Sequence, residues 1–329
     1  MPSPFRPDVK PFALRPLVFL LALPLAAQTP APKTAPADPT ADELFRLGQS
    51  LFDQLAPPEI KAQYEFPSQE QWDAFAVRLQ GALEGGSLEE LATYEAEARA
   101  ALAGLRLLPG YADYADWLEQ RIDEIQGAKQ AAAPLPPPPP PPKPLPPGAK
   151  PPPRVVPLLP HYDLWLARVR ARPLPVNAAR LMPRLRAAFT AEGVPPELAW
   201  LAEAESALNP AARSPVGAKG LFQFMPDTAK AMGLGTFLPD ERTDPEKSAR
   251  AAARYLKTLH GQFGSWPLAL AAYNAGEGRV RRALTARGAK DFAGVASALP
   301  AETRMYVPKV CALVAVRAGV APEKIAAPK

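Results

Sequence analysis

The sequence has 329 residues, of which 47% are hydrophobic, and its 38 Lys and Arg against 33 Asp and Glu give a net charge of +5. This length predicts about two domains. The mild positive charge suits attraction to an anionic polymer. No motif that reads nucleic acid is present, so no nucleic-acid partner is expected. The single cysteine, Cys311, excludes an intrachain disulfide framework, and the two histidines, His161 and His260, are too isolated for a zinc motif or a Cys–His catalytic pair.

Residues 1–27 have the pattern of a secretory signal peptide. Basic residues at positions 6, 10 and 15 precede an apolar run from Leu17 to Ala27. The run is shorter than the about 20 residues that span a bilayer, so we expect cleavage after Ala26 or Ala27, with an uncleaved anchor as the alternative. No cysteine stands near this point, and no stable lipid anchor is therefore expected. The pattern predicts an exported protein.

A helical block of residues 40–129 follows a Pro/Ala-rich tether of residues 28–39. Four amphipathic helices are indicated, with start signals at Thr40, Ser68, Ser87 and Pro109. The segment Ser87-Leu-Glu-Glu90 has the form of a capping box. Aromatic residues on these helices are interpreted as core, so the sequence predicts a small bundle without indicating its role.

Residues 130–160 form a polyproline linker. Sixteen of the 45 prolines lie from Pro134 to Pro160, and seven are consecutive from Pro136 to Pro142. Such a tract adopts polyproline II with a rise of about 3.1 Å per residue, so twenty residues reach on the order of 60 Å. We interpret the tract as a stiff spacer, and a protein partner is possible at this linker or at the helical block.

Residues 161–329 are predicted to form a second helical region. No stretch shows strand alternation, so the chain as a whole is predicted to be mainly α. Proline and glycine mark the helix starts and ends. The predicted spans are 162–169, 177–192, 196–208, 226–232, 245 to about 260, 265–274 and 300–319.

A carboxylate stands on the apolar face of the predicted helix 196–208. By helical spacing, that face is shared by Leu198, Leu201, Ala202, Glu205 and Leu208. Burial disfavours the ionised form of a carboxyl group and raises its pKa, as an acid catalyst near neutral pH requires. The alternative is a structural Glu bonded to a loop. Glu203 lies elsewhere around the helix and is predicted to face solvent.

Four motifs follow one another between residues 205 and 308. They read Glu-Ser at 205–206, Gly-Leu-Phe-Gln-Phe-Met-Pro at 220–226, Ala-Ala-Tyr-Asn-Ala-Gly at 271–276 and Glu-Thr-Arg-Met-Tyr-Val-Pro at 302–308. In this order they resemble the catalytic domain of lytic transglycosylases of the soluble type, and the spacer 240–256 resembles the membrane-bound lytic murein transglycosylase D branch. The resemblance implies a helical, goose-lysozyme-like catalytic domain over residues 161–329.

This resemblance implies non-hydrolytic cleavage of the β-1,4 bond between N-acetylmuramic acid and N-acetylglucosamine in peptidoglycan. One Glu protonates the leaving sugar and then takes a proton from the C6 hydroxyl, leaving a 1,6-anhydro end. Glu205 matches that acid and base. Ser206 matches a residue that hydrogen-bonds near the substrate, with a Ser on the helix surface as the alternative. Positions lining the substrate cleft are matched by Gln223, Tyr273, Asn274 and Tyr306, with buried structural partners as the alternative. No metal or other cofactor is implied, and export then implies a periplasmic or cell-envelope location.

Two contacts around these motifs are also expected. The Tyr273 hydroxyl is predicted to hold Glu205 in position, and Glu302 and Arg304 are predicted to form an ion pair at the start of the last helix. Two other functions remain open on the same residues. One is a lysozyme-like glycoside hydrolase, and the other is a catalytically silent peptidoglycan-binding scaffold.

Overall fold

The computed structural model describes residues 78–107, 112–133, 159–214 and 217–329, together with four isolated positions between 50 and 58. The predicted signal peptide, the tether, the helix starts at Thr40, Ser68 and Pro109 and the run of consecutive prolines lie outside the described residues.

The described part of the N-terminal block is helical. Residues 78–84 are followed by α1 (Leu88–Thr93), α2 (Glu95–Leu107) and α3 (Ala112–Ala132). The cap predicted at Ser87 is confirmed, because its hydroxyl accepts a hydrogen bond from the Glu90 amide at 3.0 Å. The hydroxyl itself donates to Glu89. The serine half of the capping box therefore forms and starts α1.

The C-terminal region is built from short and medium helices joined by tight turns. The α-helices are α4 (Tyr162–Arg170), α5 (Ala178–Ala191), α6 (Leu201–Ser206), α7 (Pro226–Ala231), α8 (Pro245–Phe263), α9 (Trp266–Ala275), α10 (Glu277–Arg287), α11 (Phe292–Val295) and α12 (Ala301–Ala318). The 3₁₀ helices are Pro196–Trp200, Glu241–Thr243, Ala296–Ala298 and Pro322–Lys324. Within the described ranges there is no strand, only two isolated β-bridges around Lys219, so the mainly α prediction is confirmed.

Two details of the helix predictions differ from the structure. Helix α8 runs through Gly261 to Phe263 and ends at Gly264, whose φ of +67° closes the last turn. Helices α10 and α11 fill a region for which the sequence indicated no helix. Of the eleven residues of α10 only Val280 and Ala283 are buried, so its apolar face is too narrow for a clear helical period.

Helix α12 forms the centre of the core. An unbroken run from Met305 to Val314 is buried, and its apolar residues face every side of the helix rather than one stripe. Such a helix has to be covered all round by other elements. It packs against α3, α4, α6 and α9, so a helix of the N-terminal block and helices of the C-terminal region meet around it.

Helix α3 contacts the C-terminal region directly. It packs against α6, α4 and α12, with a buried set of ion pairs between α3 and α12. Lys309 of α12 lies 3.2 Å from Glu124, and neither side chain is exposed by more than 1%. A Cβ atom at Gly127 would lie 2.7 Å from the Trp165 ring, so glycine permits the close approach of α3 and α4. The last helix of the N-terminal block is thus part of the same core.

No helix among the described residues is both long enough and apolar enough to cross a membrane.

Candidate active site

Glu205 lies in the last turn of α6, a helix that is shorter than predicted. The 3₁₀ helix Pro196–Trp200 leads into α6, and the helix ends after Ser206 because Ala207 and Leu208 both adopt positive φ, at 50° and 62°. The Leu208 amide donates back to the Ala202 carbonyl and closes the helix end. Non-glycine residues in this region carry about 1 kcal/mol of strain or more each. The turn redirects the chain immediately after Glu205.

The Glu205 carboxyl is buried and has a hydroxyl partner. Its exposed fraction is 7%, and the Tyr306 hydroxyl donates a hydrogen bond to Oε1 at 2.5 Å. Burial raises the pKa of Glu205 from 4.5 to about 7, against the opposing effects of the Tyr306 hydrogen bond and the Arg121 charge. The carboxyl group is therefore divided between its protonated and ionised forms near neutral pH, as a group that both gives and takes a proton requires.

Tyr273 does not hold Glu205, so that prediction was wrong. Its hydroxyl donates to the Phe222 carbonyl at 2.8 Å, and its ring lies beside those of Phe224 and Tyr255. Burial is the main cause that raises the pKa of Tyr273 well above 10, and the Glu205 charge adds to it. Tyr273 therefore lies near the Glu205 carboxyl group, and its own hydroxyl anchors the loop before α7.

Ser206 and Gln223 make mainly backbone contacts. The buried Ser206 hydroxyl lies 3.0 Å from the carbonyls of Ala202 and Leu221. Gln223 has a φ of 46°, and its Nε2 donates to Gly220 O at 2.9 Å and Ala212 O at 3.3 Å. Its Oε1 is buried without a hydrogen-bond partner among the described residues. Gln223 therefore retains one free acceptor, whereas the Ser206 hydroxyl is engaged by the protein.

Asn274 and Glu302 are joined to each other. Asn274 Nδ2 donates to Glu302 Oε1 at 3.1 Å, and its Oδ1 accepts from the Thr303 hydroxyl at 2.6 Å. The predicted ion pair of Glu302 with Arg304 is wrong. Arg121 of α3 binds Glu302, while Arg304 donates to the Gly86 carbonyl. The amide of Asn274 is held in a fixed orientation by its two partners.

Comparison with known proteins identifies the centre of this region. Residues 185–295 match the family model described as the Transglycosylase SLT domain. This part of the chain is an SLT domain. Membrane-bound lytic murein transglycosylase D of Escherichia coli (strain K12) is 41% identical over 126 residues, which are 36% of this chain and 27% of that protein. Soluble lytic murein transglycosylase of the same strain is 42% identical over 120 residues, which are 34% of this chain and 19% of that protein.

The chain thus spans about a fifth to a quarter of the length of these two relatives. Among solved structures, the 70 kDa soluble lytic transglycosylase of Escherichia coli aligns with a TM-score of 0.40 at 21% identity, over 87% of this chain and 47% of that one.

The matched SLT domain does not contain every partner of Glu205. Tyr306 and Glu302 belong to α12, and Arg121 belongs to α3, so all three lie outside residues 185–295. The matched residues carry the acid, the Gln223 loop and Asn274. The environment of the carboxyl group is completed by helices on either side of the SLT domain in sequence.

Glu203 of the SLT domain is buried, so the prediction that it faces solvent was wrong. Its two carboxylate oxygens accept from Arg317 of α12 at 2.8 and 3.0 Å. The Arg317 side chain is 7% exposed and also donates to the carbonyls of Arg172 and Pro173. Glu203 therefore stabilises the packing of α6 on α12.

The loop that carries Gln223 is held from beneath by Arg242. Its Nη1 donates to Gly217 O at 2.8 Å and Phe224 O at 3.0 Å, while Asp240 accepts from the other nitrogens of the guanidinium group. A Cβ at Gly220 would lie 1.9 Å from the Arg242 carbonyl, and Gly220 has a φ of +78°. Only glycine fits there, which explains why the motif at 220–226 begins with glycine.

Sequence reasoning missed Arg121 and Glu124, although a signal for them existed. Trp117, Arg121, Glu124 and Ala128 recur at spacings of three and four, so both charged residues share one face of α3 with an aromatic residue and a buried alanine. Charged side chains at such positions are buried only with partners.

Within the described part of the chain, no group of three or more His, Cys, Asp or Glu is arranged to hold a metal ion.

Proposed function

We propose that the protein is a lytic transglycosylase that cleaves the β-1,4 bond between N-acetylmuramic acid and N-acetylglucosamine in peptidoglycan. The observation that carries the proposal is the buried Glu205 carboxyl, with a pKa of about 7 and a hydrogen bond from Tyr306. The SLT domain around it, and relatives named lytic murein transglycosylases, support the same substrate class.

In the proposed reaction Glu205 acts first as an acid. Its proton passes to the glycosidic oxygen as the C1–O4 bond breaks, and N-acetylglucosamine leaves with a free 4-hydroxyl group. The carboxylate that remains then accepts the proton of the C6 hydroxyl, whose oxygen attacks C1 and closes the 1,6-anhydro ring. Attack from within the same sugar has a high effective concentration, so no positioned water is needed. The cycle ends with Glu205 protonated again.

The surrounding carboxylates favour this reaction over ordinary hydrolysis. A hydrolase uses a second carboxylate to activate water or to form a covalent intermediate. Among the described residues, the carboxylates that act on Glu205 are Glu302 and Glu124, and both are bound by Arg121. Glu203 is bound by Arg317. None of these groups is free to act as the second carboxylate.

Substrate contacts are proposed for the motif residues near the acid. The Oε1 atom of Gln223 has no partner in the described structure, which suits acceptance of a hydrogen bond from the N–H of an N-acetyl group. Ser206 and Tyr273 donate to backbone carbonyls, so we assign them to shaping the cleft. Asn274 and Tyr306 are proposed to orient the reacting groups through Glu302 and Glu205.

The test is mass spectrometry of fragments released from purified peptidoglycan by the full chain and by its Glu205→Gln variant. Glu203→Gln is the matched control, because it changes a buried carboxyl on the same helix whose oxygens bind Arg317. We expect anhydro-ended fragments from the wild type and from Glu203→Gln, and none from Glu205→Gln. Reducing ends would replace the proposal with a hydrolase. No release by folded wild-type protein would replace it with a binding scaffold.

We further propose a cell-envelope location, with residues 1–27 as the signal peptide and the polyproline linker as the connection between the N-terminal block and the catalytic region. The apolar run 17–27 and the murein substrate class support this location. Cell fractionation and N-terminal sequencing of the mature protein test it. A cytoplasmic protein with an intact N-terminus would contradict it.

A further inference from the structure

Arg121 of α3 is a buried cation at the edge of the candidate active site. Its exposed fraction is 5%, and Nη1 donates to Glu124 Oε2 at 2.8 Å and also to Glu302 Oε1. The guanidinium group lies 5.9 Å from the centre of the Trp117 ring. Its carboxylate partners are the buried Glu124 of α3 itself and the partly exposed Glu302 of α12. A buried arginine with such partners is held in one orientation.

Glu302 passes this restraint to the site in two ways. Its Oε1 also accepts from Asn274 Nδ2 at 3.1 Å, so Arg121 and the Asn274 amide share one carboxylate oxygen. Glu302 also stands four residues before Tyr306 on α12, which places both side chains on one face of the helix. The face of α12 that Arg121 binds is the face that presents the Tyr306 hydroxyl to Glu205.

The charges around Glu205 give Arg121 a second effect. The ionisable groups that act on this carboxyl from the helices packed against it are Tyr306 and Glu302 of α12, Arg121 and Glu124 of α3, and Tyr273 of α9. In this set Arg121 carries the positive charge. It favours the ionised form of Glu205, whereas Glu302 and Glu124 disfavour that form. Without Arg121, Glu302 would face the acid without its ion-pair partner, and Glu124 would keep only Lys309.

We propose that Arg121 is a positioning residue of the active site, which fixes Glu302 and the face of α12 that presents Tyr306, and which balances the negative charges around Glu205. The proposal rests on the proposed transglycosylase function. It makes α3 part of the catalytic unit, although this helix lies outside the matched SLT domain.

The test compares the full chain with Arg121→Gln and Arg121→Lys. In Arg121→Gln the positive charge is lost, so Glu205 stays protonated to higher pH. We expect kcat to fall at least about tenfold with little change in KM, and the alkaline limb of the pH–rate profile to move up by about one pH unit. Arg121→Lys keeps the charge but has a shorter side chain without the Nη1 atom that reaches both Glu124 and Glu302, so the limb returns to its wild-type position while kcat recovers in part.

The matched control is Arg317→Gln. This change also removes the charge of a buried arginine side chain, but the partner of Arg317 is Glu203 of α6. Arg317 pairs with Glu203 rather than facing Glu205, so thermal stability is expected to fall without a shift of the alkaline limb. In addition, the effects of Arg121→Gln and Glu302→Gln on kcat should be markedly non-additive, because the two groups act as one unit. Additive effects, or an equal limb shift in Arg317→Gln, would overturn the proposal.

A direct readout separates this inference from the proposed function. The Glu205 carboxyl is titrated by ¹³C NMR, with its signal assigned by its loss in Glu205→Gln, in wild type and in Arg121→Gln. An active wild type in which neither the titration nor the alkaline limb responds to Arg121→Gln refutes the role of Arg121 and leaves the function standing. If the wild type is inactive but the pKa of Glu205 is higher in Arg121→Gln than in the wild type, the function is refuted and the influence of Arg121 on the carboxyl group is supported. If Arg121→Gln does not fold, Arg121→Lys decides, because an unchanged kcat in that variant overturns the proposal.

Discussion

Replacing the buried acid should make the protein more stable, and the gain should depend on pH. Burial raises the pKa of Glu205 from 4.5 to about 7. Below about pH 4.5 the group is protonated in both the folded and the unfolded state, so Glu205→Gln changes little. As pH rises toward 7 the unfolded state releases the proton first, and the folded state loses stability. A shift of roughly 2.5 units at about 1.4 kcal/mol each corresponds to about 3 kcal/mol by pH 8.

Urea-induced unfolding of wild type and Glu205→Gln at pH 4.5, 6 and 8 measures this difference. A Gln side chain keeps an oxygen to accept from Tyr306 but cannot ionise, so the variant should gain about 1.4 kcal/mol of stability over the wild type per pH unit between 4.5 and 7. Glu246→Gln is the control, because that carboxylate is exposed and its ion pair with Arg250 contributes little. A gain that is absent at pH 8, or equal at all three pH values, would refute the reasoning.

Three further changes test other contacts. Tyr306→Phe removes a hydrogen bond to a carboxylate that contributes about 1.5–3 kcal/mol, so kcat should fall roughly ten- to hundredfold and the alkaline limb of the pH–rate profile should move up; an unchanged kcat would contradict this. Lys309→Met removes a buried cation shared by Asp123 and Glu124, which keep their arginine partners, so the free energy of unfolding measured in urea should fall by about 1.5–3 kcal/mol; an unchanged value would contradict this. Gly220→Ala brings a Cβ against the Arg242 carbonyl and should cost at least about 2 kcal/mol, while Gly217→Ala, with no described atom within 4 Å of its Cβ, should cost about 1 kcal/mol; equal melting temperatures would contradict this.

Much of the fold could be predicted because proline and glycine mark the helix boundaries. Asp244 and Pro245 start α8 as expected, since the Asp side chain accepts from two amides of the first turn. The end of α6 could not be predicted in this way. Ala207 and Leu208 turn the chain there, and neither residue type signals a left-handed conformation. The turn is held by the hydrogen bond of the Leu208 amide to Ala202 and by that of the Asn177 side chain, 31 residues away in sequence, to the Leu208 carbonyl.

The acid could be predicted from the sequence, whereas its partners could not. Glu205 interrupts an apolar face, which is a local signal. Tyr273 and Tyr306 are equally capable of binding it, and the choice depends on where α9 and α12 place the two hydroxyl groups. Likewise, Glu203 is buried because Arg317, 114 residues away in sequence, reaches it. Pairings between distant segments leave no trace in the local residue pattern.

The central position of α12 determines when the candidate active site can form during synthesis of the chain. The contact of Glu205 with Tyr306 joins residues 101 apart, and the contacts of Arg121 and Glu124 with α12 join residues 181 and 185 apart. Such pairings form only after α12 has left the ribosome, because domains complete their folding when all of their parts are present. A nascent chain that ends before residue 301 lacks Tyr306, which binds its acid. It also lacks the residues of α12 that pair with the charged side chains of α3. A polypeptide truncated before α12 therefore lacks the contacts that complete the surroundings of Glu205, and its carboxyl group has neither the Tyr306 hydroxyl nor Glu302 beside it.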